Sequence, residues 1–185
     1  AACVAVSSNA QTTSTPTEKA PKTATPKEKT SAETETLTNV EPAKREFTFI
    51  VNFKTNKSDI FKLMMNNIEV DEFQKKNIQV FETINPTTTV DMFTARFGEG
   101  NMSTKTIHFN LGNTEEKEVE IETIQISYGN NSVIVKPSEL NDYFLFNEYV
   151  TQDNTTFKLK TKKIKNNHYP TLMLRQKVIN QLTKE

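Results

Sequence analysis

Two histidines, one cysteine and four glycines are the residues from which chemistry would first be built in this 185-residue chain. A general acid or base needs a partner within hydrogen-bonding reach. His108 falls on the polar phase of an alternating run, Thr106–Asn110, and His168 falls in a lysine-rich stretch just before Pro170. Neither has a carboxylate or nucleophile at a spacing that suggests a pair, so both read as surface histidines. Cys3 stands alone, which excludes an internal disulfide and a cysteine-built zinc site. The glycines, at 98, 100, 112 and 129, are too scattered to cradle a phosphate, and Gly98-x-Gly100 reads as a turn. Asp59, Asp71, Asp91 and Glu99 offer acids, but nothing in their spacing pairs them as glycoside hydrolysis would need. The expectation is a protein that is not an enzyme.

Binding chemistry has more candidates. A bound Ca²⁺ wants about six to eight oxygen ligands, and Asp59 or the Glu115–Glu118 loop would have to supply some of them. No loop motif supports such a site, and solvated charge is the expected reading there. Net charge is zero, yet the distribution is uneven. Residues 114–122 carry Glu115, Glu116, Glu118, Glu120 and Glu122 against Lys117 alone. Farther on, Lys158, Lys160 and Lys162 alternate, and Lys163 and Lys165 extend them. Alternation would put the first three on one strand face, as a contact strip for an anionic polymer, lipid head groups or a protein. Aromatic interleaving suited to nucleic acid is lacking, since Phe157 and Leu159 would point inward, so no nucleic-acid partner is expected.

The elements that must carry these residues are strands. Phe47, Phe49, Val51 and Phe53 alternate with Glu46, Thr48, Ile50 and Asn52, and Phe61, Leu63 and Met65 hold one phase after a polar turn at residues 54–58. Ile107, Phe109 and Leu111 form a third such series. A fourth, Val119, Ile121, Ile124, Ile126 and Tyr128, changes phase between Ile121 and Ile124, which calls for a bulge or a turn. Further strands are expected near 77–82, over 87–97, at 133–135 and at 156–161. Pro137–Asp142 is a helix start with Ser138 as cap, leading into one short helix with Leu140, Tyr143 and Phe144 on one face. Thr171–Leu182 reads either as a helix, from Leu174, Val178 and Leu182, or as a final strand at 171–174. Many strands without a βαβ rhythm predict an all-β fold, an antiparallel β-sandwich of jelly-roll type.

The domain plan follows. Residues 1–10 resemble the tail of an export signal, or a lipoprotein anchor region in which Cys3 is the lipidated residue. Residues 11–44, rich in Thr, Pro, Lys and Glu, cannot bury enough apolar surface to order themselves and are expected to be a disordered tether. The sandwich is expected over 45–168, with a basic segment from 169 to 185. No apolar run is long enough to span a membrane. Asn56, Asn101, Asn130 and Asn154 begin glycosylation triplets, and their use here is only to agree with predicted loops.

The series Asp59, Phe61, Leu63, then Phe109, Leu111, Ile121, Ile124 and Ile126, then Tyr143 and Phe144, resembles the β-sandwich accessory domains of exported Bacteroidota envelope proteins. That resemblance covers residues 46–150 and implies a fold like that of carbohydrate-binding modules, in the periplasm, at the outer-membrane surface or outside the cell. It implies no binding residues. The expected function is a non-enzymatic, envelope-associated interaction or structural module that binds protein. The alternative is a carbohydrate-binding module, with Tyr149 and Tyr169 stacking on sugar and Asn130 and Asn131 hydrogen-bonding to it. The chain has no tryptophan, the best platform for a sugar ring, which favours the protein partner.

Overall fold

A computed structural model describes residues 45–67, 78–98, 102 and 105–184. The expected tether and Cys3 lie outside the described residues, as do Asp71, Glu99 and Asn101. Among the described residues the chain forms β1 (Phe47–Thr55), β2 (Asp59–Asn67), β3 (Ile78–Ile84), β4 (Asp91–Phe97), β5 (Lys105–Asn110) and β6 (Glu118–Tyr128). It continues through β7 (Asn131–Val135), β8 (Phe144–Phe146), β9 (Val150–Gln152), β10 (Leu159–Thr161) and β11 (Thr171–Leu174). A 3-10 turn (Pro137–Glu139) leading into α1 (Leu140–Tyr143), and α2 (Gln176–Leu182), complete it. The fold is the all-β antiparallel sandwich that the alternation predicts.

Sheet A runs β4-β1-β6-β10-β9, and sheet B runs β3-β2-β5-β11-β8. The pairs β1–β2, β3–β4, β5–β6, β8–β9 and β10–β11 each place one strand in each sheet, at the same position in its order. β7 shares the free edge of β6 with β10, taking Ile124–Tyr128 while β10 takes Glu118–Val119.

Phenylalanine fills the space between the sheets. Phe109 of β5 lies 5.2 Å from Phe49, 5.6 Å from Phe61 and 5.4 Å from Phe93, ring centre to ring centre. Phe53 and Phe61 close the same layer at 4.9 Å. Phe49, Phe61, Phe109 and Ile126 are all fully buried, as their phase requires. The three-residue spacing in β6 is a bulge: β1 pairs Asn52 with Thr123 and then Phe53 with Ile121. Glu122 is left unmatched, and both Ile121 and Ile124 thereby turn into the core.

Three local expectations are corrected. The helix start is capped by Glu139 rather than Ser138: its carboxylate accepts the Lys136 N–H at 3.0 Å. The strand expected at 156–161 begins only at Leu159. Asp153 accepts the N–H groups of Thr155 and Thr156 at 2.9 and 2.8 Å, and the turn this makes holds Phe157 at φ +56°. Phe157 is 37 % exposed as a result, so it does not point inward. The sandwich also runs past residue 168. β11 lies between β5 and β8, inside sheet B, and α2 follows it, so both readings of 171–182 are partly met.

Candidate functional site

Asp59, Lys117 and His168 come together where three loops meet at one end of the sandwich. Asp59 opens β2, Lys117 ends the β5–β6 loop, and His168 lies late in the β10–β11 loop. The Lys117 side chain is fully buried and its ammonium donates to Asp59 Oδ2 and, at 2.9 Å, to the Leu111 carbonyl. Asp59 also accepts from Ile60 N at 2.8 Å, Thr114 N at 3.0 Å, Thr114 Oγ1 at 3.1 Å and Glu115 N at 3.3 Å. Burial opposes its ionisation, but the hydrogen bond from Lys117, the backbone donors and the Lys117 charge outweigh it and hold the carboxyl at about 2. On Lys117 burial is the larger influence and lowers the ammonium, with Asp59 opposing.

Gly112 makes this packing possible. It sits at φ +85°, and a Cβ there would lie 2.2 Å from Asp59 Cγ. Asn110 braces the same corner, donating to the Pro170 carbonyl at 3.1 Å and accepting from Gly112 N at 3.0 Å. His168 is 4 % exposed, so it is not the surface histidine its lysine-rich setting suggests. Pro170 is buried too and Tyr169 exposed, which means the strand alternation of β11 already operates here. Neither ring nitrogen has a hydrogen-bond partner, although the Asn113 backbone lies close enough to favour the charged ring. Burial, and then the Lys117 charge, push the imidazole below its ordinary range.

This trio joins an acid, an amine and an imidazole, but it is closed to solvent. As a Ca²⁺ ligand Asp59 is already committed: its oxygens accept five protein donors, one of them a cation. Among the described residues no group of three or more His, Cys, Asp or Glu could hold a metal ion.

The four residues expected to bind sugar fall in two places. Tyr149 and Tyr169 meet edge to face, 6.2 Å between ring centres, with Tyr169 54 % exposed. Beside them a shallow groove of about 290 Å³ is lined by His108, Leu145, Phe146, Tyr169 and Met173, among others. Asn147 at its rim is occupied within the protein, donating to the Tyr169 carbonyl and accepting from Thr171 N. Asn130 and Asn131 belong instead to the β6–β7 turn. The Asn131 amide donates to the carbonyls of Leu182 and Lys184, at 3.0 and 2.7 Å, closing the end of α2.

The lysine strip lies beside acids. Lys158 pairs with Glu120 at 2.9 Å and Lys160 with Glu118 at 3.5 Å, while Lys54 reaches Glu122 at 2.6 Å and Glu120 at 3.5 Å. The outer face of sheet A therefore carries an alternating ladder of charge where β1, β6 and β10 adjoin, and it also exposes Met92 and Ile134. Lys162, Lys163 and Lys165 follow in the next loop, where the Lys163 N–H donates to Glu116 and Lys165 takes a left-handed φ of +48°. Sheet B carries a different outer face. Ile60, Phe81 and Leu145 are 41, 66 and 40 % exposed, and Met64 and Met173 are half-buried among them.

Sequence reasoning missed the Asp59–Lys117–His168 corner. One signal pointed to it, the lone lysine within five glutamates. No family model, no curated protein and no solved structure matches the chain. No helix among the described residues is long and apolar enough to cross a membrane.

Proposed function

We infer that this chain is a non-enzymatic interaction module that engages a protein partner through the outer face of sheet B. The observation that carries this reading is the contrast between the two outer faces. Sheet A carries an ion-pair ladder as well as exposed Met92 and Ile134, whereas sheet B presents Ile60, Phe81, Leu145 and Tyr169 to solvent with few charges between them. Apolar side chains gathered on one face mark contact surfaces more often than scattered ones do. A sugar would need hydrogen-bonding groups beside Tyr169, and Asn147 there is already engaged within the protein, which favours protein over glycan. The sealed Asp59–Lys117–His168 corner supports the non-enzymatic reading, since no substrate reaches it. An exported, envelope-associated setting, with Cys3 as an anchor, belongs to the same proposal and rests on the composition of the first 44 residues.

The test compares variants in a pull-down from the native host, alongside a glycan array. A protein retained by the wild type and by Lys158→Glu/Lys160→Glu, but lost with Phe81→Ser/Leu145→Ser, supports the reading. Saturable glycan binding that Tyr169→Ala abolishes replaces it with the carbohydrate alternative.

A further inference from the structure

Two methionines and a histidine fall in one line across sheet B. Met64 on β2 stands directly opposite His108 on β5, and His108 stands directly opposite Met173 on β11. Each follows or precedes a fully buried neighbour, Leu63, Phe109 and Leu172, so the period of two turns all three to the outer face. All three are half-buried there. Directly opposed residues hold their Cβ atoms about 4.5–5.5 Å apart. A histidine flanked on both sides at that spacing brings an imidazole nitrogen and two thioether sulfurs within reach of one ion. His108 and Met173 already line the same groove.

We propose that Met64, His108 and Met173 form a binding site for Cu(I). The donor set decides the metal. Thioethers select soft Cu(I), whereas Ca²⁺ and Mg²⁺ need oxygen ligands and Zn²⁺ is held by thiolate, imidazole or carboxylate. With two neutral sulfurs and one neutral imidazole the bound ion keeps a single positive charge. Lys62 lies in the adjacent row of the same face, opposite Asn110. A monovalent ion meets half the repulsion from that ammonium that a divalent ion would. Leu145, directly opposite Met173, extends the row with an apolar side chain. The proposal goes beyond the interaction reading and does not depend on it, because it requires three side chains and no partner protein.

The test titrates the full chain carrying Cys3→Ser, so that the lone thiol cannot compete, with Cu(I) buffered by bicinchoninate without oxygen. One equivalent should bind. Met64→Leu and Met173→Leu should each weaken binding by roughly 10–100-fold, the range that even outer-shell partners of metal sites command. Met92→Leu, which alters a methionine 55 % exposed on sheet A, should leave it unchanged. Leucine nearly conserves methionine's volume, so unaltered thermal melts will show that each variant is folded. The His108 ring nitrogens, read by NMR with Ag(I) as a redox-inert substitute, should shift on binding. Failure to bind one equivalent, binding undiminished in the Met64→Leu/Met173→Leu double variant, or an unmoved His108 ring would overturn the site.

Discussion

Lys117 owes its place in the interior to the acceptors its ammonium meets there. Its ammonium meets Asp59 and the Leu111 carbonyl, and Asp59 in turn accepts from two loop N–H groups and a threonine hydroxyl. Removing one member of a buried pair strands the other charge, so Lys117→Ala should cost about 3–5 kcal/mol in urea denaturation. Lys57→Ala, which breaks a half-exposed pair with Glu115, should cost less than about 1 kcal/mol. Equal losses from the two variants would show that burial of Lys117 contributes nothing. The same corner sets the acid response. His168 titrates below its ordinary 6.5 in the folded chain, so the unfolded chain binds its proton first and stability falls as pH drops below about 6.5. Asp59 adds a second loss as pH falls from its ordinary 3.8 towards about 2. Denaturant midpoints measured against pH should show both legs, with His168→Asn removing the upper one and Asp59→Asn the lower one. Little of this was legible in the sequence: Lys117 stood out as the lone lysine among five glutamates, but nothing marked it as folding inward. The turn at Gly112 decides it, through a backbone angle that composition does not reveal.

At the scale of elements, strands with a buried face were readable and short irregular ones were not. β1 and β2 announced themselves by alternation, and the phase change in β6 located its bulge to within a residue. β10 and the cap of the 3-10 turn before α1 were misplaced because local side-chain bonds, from Asp153 and Glu139, set the backbone there ahead of any hydrophobic period. The end of the chain shows a further limit. Leu174, Val178 and Leu182 fit a helix over their whole span, yet the first of them ends a strand interior to sheet B. α2 is then held from outside by Asn131, an interaction between residues about fifty positions apart that no local pattern signals. Asn131→Ala should raise hydrogen exchange in the last turn of α2 by roughly fivefold, the equivalent of about 1 kcal/mol for a lost net hydrogen bond. Unchanged exchange would mean that Val178, Ile179 and Leu182 anchor the helix without it.

For the whole molecule, the sandwich has one core and two outer surfaces, with an ion-pair ladder on sheet A and exposed Ile60, Phe81 and Leu145 on sheet B. Alternation placed residues on inner or outer faces correctly along most strands, but strand order was needed to show which outer residues become neighbours. Lys158 and Lys160 looked like a basic strip until β10 was seen to lie against the acidic β6. Met64, His108 and Met173, far apart in sequence, became a row only once β5 lay between β2 and β11. We propose the outer face of sheet B as the working surface. A photo-crosslinking residue placed at position 145 on sheet B, and separately at position 125 on the exposed outer face of sheet A, tests this in the native host. A discrete protein adduct is expected from position 145 and none from position 125. Adducts from position 125 alone, or from neither position, would contradict it.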